Sequence, residues 1–223
     1  MNLWHRPLTA NELRQCLRIA FGCTLGFVLC KIFGWSNGVF FTVTPVLLLG
    51  MIPVMNGHAA RQLIASAAMC GLEVGLLGGL FGGHPGLMLP IVFLLFLYRF
   101  AAMSRGSLFL FGANGVLSLS IMLHFASYPE TDLNDLIFSN LWASILSVLI
   151  AYLMTALIPD VEARPAPAPS TKAPHRMRHE ALLGASIATL SFMVFQIFDL
   201  RDSMSAQATT LLLLFPMHWN GAL

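Results

Sequence analysis

Charged residues are scarce in this sequence. Only 10% of the 223 residues are Asp, Glu, Lys or Arg, whereas soluble globular domains carry about 25%. Hydrophobic residues make up 57% of the chain, and the mean hydropathy is +0.77. This composition excludes an ordinary water-soluble domain and predicts a protein of the lipid bilayer. Because the few basic residues stand singly between apolar runs, we expect no nucleic acid partner.

Motifs of catalysis and metal binding are also missing. The sequence has no phosphate-binding glycine loop, no nucleophile elbow and no metal-binding helix motif. The four cysteines lie inside apolar runs, and Cys16, Cys23 and Cys30 recur every seven residues without the short pairs of a zinc site. Helix packing by small residues is therefore favoured over metal binding, and we expect neither an enzyme, nor a metal, nor a cofactor.

Long apolar segments fill the rest of the chain. A spanning helix needs about 20 mainly apolar residues, and the sequence offers eight candidates, of which the last is short. They comprise residues 16–33, 39–55, 63–81, 86–103, 108–125, 136–158, 181–198 and 204–217. We therefore predict an all-α fold, a polytopic bundle of transmembrane helices.

The distribution of basic residues predicts the orientation. Thr9 and Glu12 form a capping-box pattern that starts the first helix, and no cleavage site follows its apolar run, so this helix is retained. With a cytoplasmic amino terminus, ten basic residues lie inside or at that interface, and only Lys31 and Arg201 lie outside. Because short positively charged loops stay in the cytoplasm, we expect this orientation, in a bacterial inner (plasma) membrane.

The start of the chain recurs after a linker rich in proline and alanine. A shift of 165 positions aligns Leu17 with Leu182, Thr24 with Thr189 and other pairs through the first two helices. We therefore predict three parts, which are a six-helix repeat over residues 1–158, a cytoplasmic linker over 159–180, and the first two helices of a parallel second repeat over 181–223. The alternative is a chance match between membrane helices of similar composition.

This second repeat stops after two helices. We expect either that the sequence is a fragment of a longer twelve-helix protein or that the gene itself is truncated.

The first two helices carry a resemblance. Residues 13–26, continuing through Lys31-Ile-Phe-Gly-Trp35, and the stretch Phe-Phe-Thr-Val-Thr-Pro at 40–45 resemble the opening of the fusaric acid resistance and aromatic acid exporter superfamily, in particular its short bacterial inner-membrane branch. The resemblance implies efflux of aromatic or other weak organic acids, often beside a periplasmic adaptor protein. The chain departs from that superfamily because it lacks most of a second half and any large cytoplasmic domain.

Glu73 is the acidic residue that lies deepest in a predicted span. A carboxylate there costs roughly 2.5–3.5 kcal/mol on insertion scales unless it is protonated, paired or facing water. Two interpretations stay open, coupling of a proton or substrate and structural pairing with a residue such as Lys or Asn. Gly71, Gly75, Gly78 and Gly82 form a small-residue seam on the opposite face, so this helix must be buried on two sides or line a cavity.

Three further sets of polar residues are candidates. Arg18 and Lys31, near the two ends of the first helix, either attract an anion or extend to the headgroups, and we expect Arg99 to extend its charge to the interface. Five residues of the fifth and sixth spans form a polar stripe, which more often packs helices than lines a path. This stripe consists of Asn114, Ser118, Asn140, Ser144 and Ser147.

The sequence thus favours an inner-membrane transport protein that moves a small organic anion outward, with the proton gradient as an energy source. The alternatives are a passive organic-anion channel and a membrane subunit or scaffold that transports nothing. A periplasmic adaptor protein and a second copy of the chain are the candidate protein partners.

Overall fold

The computed structural model describes residues 9–52, 55–81, 85–128, 130–162, 172–198, 200 and 204–218. In this part of the chain every regular element is an α-helix, which confirms the all-α prediction. The helices are α1 (Ala10–Ile32), α2 (Gly38–Met51), α3 (Gly57–Phe81), α4 (Pro85–Ser104), α5 (Phe109–Ala126), α6 (Leu133–Leu157), α7 (Pro174–Ile197) and α8 (Met204–His218).

Six of these helices, α1 and α3 to α7, are long and apolar enough to cross a membrane, whereas α2 and α8 are shorter apolar helices. Many large side chains on them are exposed, such as Leu72 at 58% on α3 and Leu149 at 61% on α6. Exposed apolar surface of this extent suits contact with lipid tails rather than with water.

Local signals define the start of α1. The Thr9 hydroxyl accepts a hydrogen bond from the Glu12 backbone N–H at 3.2 Å, and the Glu12 carboxylate accepts one from the Thr9 backbone N–H at 2.7 Å. This reciprocal capping box satisfies two backbone donors at the helix start and confirms the sequence prediction. After α1, Gly34 and Asn37 take positive φ values of 65° and 53° in the turn before α2.

The contacts divide the chain into two compact units, of which unit 1 comprises residues 1–60 and 142–166. Here α1 and α2 approach closely, because a Cβ on Gly26 would collide with the backbone carbonyl of Phe41. The amino-terminal half of α1 also holds the chain at the carboxyl end of α6. Arg18 donates to the Ile158 carbonyl at 2.7 Å and pairs with Asp160, so a cation sits where free helix carbonyls favour one.

Unit 2 comprises residues 61–141 and 167–223, and in it α3 and α5 lie side by side. Gln62 donates to the Ser107 carbonyl at 2.8 Å, Ser66 to the Phe111 carbonyl at 2.8 Å, and Cys70 to the Gly115 carbonyl at 3.5 Å. These donors recur every four residues, as do their acceptors, so the two helices run in the same direction. In the same unit α4 packs against α5 and α7, and α8 packs against α5 and α7.

The bounds of the helices bear on the predicted repeat. When 165 is added to the residue numbers of α1, its bounds fall within about one residue of those of α7. The same addition places the start of α2 within one residue of the start of α8. The division into a full repeat, a linker and a partial repeat stays a prediction. Residues 163–171 of the linker and the Asn220-Gly221 match lie outside the described residues.

The α1–α2 contact can be tested with one methyl group. We expect Gly26→Ala to lower the stability of the protein in detergent by roughly 1–3 kcal/mol, because the new Cβ has only backbone to displace. The control is Gly79→Ala in α3, where nothing lies within 4 Å of the added Cβ. There the higher helix propensity of alanine should stabilise the protein by up to about 1 kcal/mol. Equal thermal stability of the two variants would contradict the contact.

Candidate functional site

An ion pair joins the middle of α3 to α4. Nη2 of Arg99 donates to both carboxylate oxygens of Glu73, each at 2.8 Å. The Arg99 side chain is 0% exposed and the Glu73 side chain is 11% exposed. Two opposite charges are therefore held together in a part of the bundle from which solvent is almost excluded.

Glycines of α5 make room for the arginine. A Cβ on Gly115 would lie 2.7 Å from Cδ of Arg99 and 3.0 Å from its Nε, and a Cβ on Gly112 would collide with the α4 backbone. The Arg99 side chain passes over this glycine surface toward α3. Its guanidinium carbon lies 4.6 Å from the centroid of the Phe111 ring and 5.6 Å from that of Tyr98, within the range of cation–π attraction.

The expectation that Arg99 extends to the headgroups is wrong. Its side chain is fully buried and crosses to Glu73. Pairing with a carboxylate within reach stabilises the guanidinium more than extension of the side chain along apolar surface to the headgroups. For Glu73 the structure shows the paired state, although the partner is an arginine rather than the Lys or Asn suggested by the sequence. Coupling of a proton by Glu73 stays a prediction.

Two nitrogens of Arg99 have no acceptor. Nε and Nη1 are buried and, among the described residues, neither has a hydrogen-bond partner. A guanidinium has five N–H groups, and Glu73 engages only those of Nη2. The pair is thus held by a single nitrogen, and the two unused nitrogens lie against Gly115, where an added Cβ would be 3.0 Å from Nε and 3.1 Å from Nη1.

The glycine seam packs against the first turns of α6. A Cβ on Gly71 would lie 2.8 Å from Ile137, and one on Gly78 would lie 3.2 Å from Leu133. Gly75 also faces Ile137, at 3.6 Å, whereas Gly82 lies outside the described residues. Since α3 meets α6 on this side and α4 and α5 on the side of Glu73, it is buried on two sides, as the sequence required.

The asparagines of the polar stripe bind α3. Nδ2 of Asn114 on α5 donates to the Leu63 carbonyl at 3.5 Å, and Nδ2 of Asn140 on α6 donates to the Ala67 carbonyl at 3.3 Å. Ser147 donates within its own helix. All five stripe residues, including Ser118 and Ser144, are buried. Both asparagines therefore act in helix packing.

Arg18 and Lys31 have different surroundings. Arg18 is 2% exposed, and its Nε and one Nη are engaged at the end of α6, so it does not extend to a headgroup. Lys31 is exposed at the end of α1, with Nζ 5.6 Å from the centroid of the Phe27 ring. Anion attraction by either residue stays a prediction, and neither lies in the unit that contains Glu73 and Arg99.

A cavity of about 520 Å³ lies among α3, α4, α5 and α7 in unit 2. Val74, the neighbour of Glu73 in sequence, is one of its lining residues. Ligand pockets in proteins commonly measure roughly 300–1,000 Å³ and are mainly apolar with a few polar groups. The cavity meets both conditions, since the described residues of its lining are apolar except for Ser127 and Gln196.

Sequence reasoning missed the Arg99 partner and the cavity. One signal pointed to the pair, because two ionisable residues of opposite sign in consecutive spans are rarely left apart in lipid. The cavity has no such signal, since its lining comes from four helices and consists mostly of residues typical of any membrane helix.

Six helices of the described residues are long and apolar enough to cross a membrane, and they define a multi-pass α-helical membrane protein. The chain belongs to the family described as "Protein of unknown function (DUF2955)", whose model matches residues 15–154. That range includes Glu73, Arg99 and Gly115. No curated protein and no solved structure matches the chain.

The ion pair predicts strong coupling between its two residues. We expect Arg99→Met or Glu73→Gln alone to lower stability by about 3–5 kcal/mol, because each leaves a buried charge or donor without its partner. The double variant should lose less than the sum of the two, since it removes both charges together. Unfolding of all four forms in one detergent measures the coupling.

Arg176 supplies the control. It also pairs with a carboxylate, that of Glu180 at 3.0 Å, but its side chain is 69% exposed. Exposed pairs contribute roughly 0–1 kcal/mol, so Arg176→Met should change stability little. Additive losses from Glu73→Gln and Arg99→Met would mean that the two side chains do not interact.

Proposed function

We propose that this protein is a secondary transporter of a bacterial inner membrane that exports weak organic acids, aromatic acids among them, and that its transport is coupled to protons. In this proposal Glu73 carries the proton and Arg99 binds the anion. The observation that carries it is the buried Glu73–Arg99 pair, in a unit that also contains a ligand-sized cavity.

The pair supplies a chemical basis for proton coupling. An ionised Glu73 neutralises Arg99, whereas a protonated Glu73 leaves the guanidinium without a counter-charge in a low-dielectric site. The site then favours an anion from another source, and the carboxylate of an organic acid is such an anion. The carboxylates of Glu73 and of the substrate thus compete for Arg99, so protonation of Glu73 favours binding of the anion and the two events are coupled.

The single-nitrogen contact suits this role. Since Nε and Nη1 of Arg99 have no acceptor among the described residues, a second carboxylate has donors to bind. These two nitrogens lie against Gly115, where an added Cβ would be 3.0 Å from Nε and 3.1 Å from Nη1, so a second carboxylate reaches them only when the arginine side chain moves.

The choice of substrate rests on the resemblance of residues 13–26 and 40–45 to the fusaric acid resistance and aromatic acid exporter superfamily. The same resemblance suggests a periplasmic adaptor protein as partner, and self-association is proposed with it. The excess of basic residues on one side supports a cytoplasmic amino terminus.

Transport can be measured with the purified chain in lipid vesicles loaded with radiolabelled benzoate. We expect the rate of efflux to depend on pH, and Glu73→Gln to remove this dependence because glutamine cannot bind or release a proton. Glu162→Gln is the control, since Glu162 is exposed in unit 1 and only its backbone groups form hydrogen bonds with Asn11.

The same measurement separates the alternatives. Benzoate flux that is saturable but unaffected by the pH gradient or by Glu73→Gln indicates a passive organic-anion channel. No flux above that of empty vesicles, from protein shown to be folded, contradicts transport by this chain and favours a membrane subunit or scaffold.

A further inference from the structure

The cavity of unit 2 has an apolar body. It lies near the carboxyl ends of α3, α5 and α7 and the amino-terminal half of α4, and its volume is about 520 Å³. Leu77, Met88, Leu123, Phe192 and Met193 are among its lining residues. Thioether and aromatic side chains adapt to flat, polarisable ligands, so the wall suits an aromatic or branched apolar group.

One polar group in the lining is held in place. Nε2 of Gln196 donates to Oγ of Ser127 at 2.8 Å, and this hydroxyl in turn donates to the His124 carbonyl at 2.6 Å. The chain of hydrogen bonds fixes the carboxamide on the cavity wall. Gln196 keeps one N–H and its carbonyl oxygen for a ligand, because among the described residues it makes no other hydrogen bond.

Among the described residues, no charged side chain lines the cavity. The described titratable and charged groups on the surrounding helices lie outside this lining. They are His58, Arg61, Cys70 and Glu73 on α3, Tyr98 and Arg99 on α4, His124 on α5, and the group from His175 to Glu180 at the other end of α7. An ionised carboxylate placed against these lining residues would lose its hydration without gaining a cation.

A carboxamide and a protonated carboxyl group are complementary. The acid O–H donates to the amide oxygen while the acid carbonyl accepts from the amide N–H, which forms two hydrogen bonds side by side. We propose that this cavity binds the protonated, uncharged form of an apolar carboxylic acid, with its carboxyl group on Gln196 and its apolar body against Met88, Leu123 and Phe192. This inference rests on the proposed function and names the form in which the substrate is bound.

The cavity and the ion pair bind the acid at different stages of this scheme. Neither Glu73 nor Arg99 is among the described residues that line the cavity, so the acid keeps its proton there. It meets Arg99 as an anion only after its O–H bond has broken and the proton has passed to water.

The test uses three ligands of the same shape, 4-butylbenzoic acid, 4-butylbenzamide and 4-butylbenzenesulfonate. Their binding to the full chain in nanodiscs is measured by equilibrium dialysis, and binding to empty nanodiscs is subtracted. Above the pKa of the free acid, we expect its affinity to fall about tenfold for each pH unit, since only the neutral form binds. The neutral amide should bind at every pH, and the sulfonate, which stays ionised, should not bind.

Two variants locate the site. Gln196→Leu should lower the affinity for both the acid and the amide by about tenfold or more, because it removes both hydrogen bonds. Leu123→Trp should do the same by filling the cavity. The control is Leu190→Trp on α7, whose side chain is 55% exposed, and thermal unfolding checks that each variant is folded.

Several outcomes would overturn the inference. Binding of the sulfonate as tightly as the amide would show that the cavity takes anions. Acid binding that is unaffected by both Gln196→Leu and Leu123→Trp would place the ligand elsewhere. Binding of neither the acid nor the amide above that of empty nanodiscs would show that the cavity does not take such ligands. If benzoate flux persists in vesicles in any of these cases, the proposed transport stands while this cavity site does not.

Discussion

The Glu73–Arg99 pair imposes the strictest physical constraint on this protein. In lipid an unpaired charge costs several kcal/mol, and a buried ion pair is stable only when both partners stay in place. The helices that carry the two residues, α3 and α4, must therefore be aligned within the length of an arginine side chain. Much of the packing in unit 2 serves this alignment.

Small residues and asparagines provide that alignment. Gly112 and Gly115 let α4 lie against α5 closely enough for Arg99 to cross to Glu73, while Gln62, Ser66 and Cys70 hold α3 level with α5 through a series of backbone carbonyls. Between membrane helices, hydrophobic burial offers little guidance, because lipid is as apolar as leucine. Close backbone contact and interhelical hydrogen bonds decide the register instead.

Unit 1 uses the same chemistry differently. Arg18 is as buried as a core residue, yet its partners are the carbonyl and carboxylate at the end of α6. Two buried arginines thus have distinct roles. Arg18 stabilises a helix end, where a cation is expected. Arg99 lies within the span of α4, where a cation needs a counter-ion. Function is the usual reason for retaining a charge at such a position.

The features readable from the chain alone were those that depend on local sequence. Length and hydropathy were enough for the eight helices, the capping box predicted the start of α1, and the glycine spacing at 71, 75 and 78 predicted a packing face opposite Glu73. The partner of Glu73 was not predicted, because a lone basic residue in an apolar run is equally consistent with a side chain that extends to the interface. The cavity was not predicted either, because no single helix contains it.

The sequence by itself determined that this is a bundle of membrane helices and that α3 has a glycine face and a charged face, since hydropathy and helical periodicity act over neighbouring residues. Only the tertiary structure decided that Arg99 turns inward to Glu73 and that Gln196 meets Ser127 beside an apolar cavity. Those contacts join residues 26 and 69 positions apart. They depend on the register between helices, which is set by close packing at a few glycines and by hydrogen bonds between helices rather than by the pattern within any one of them.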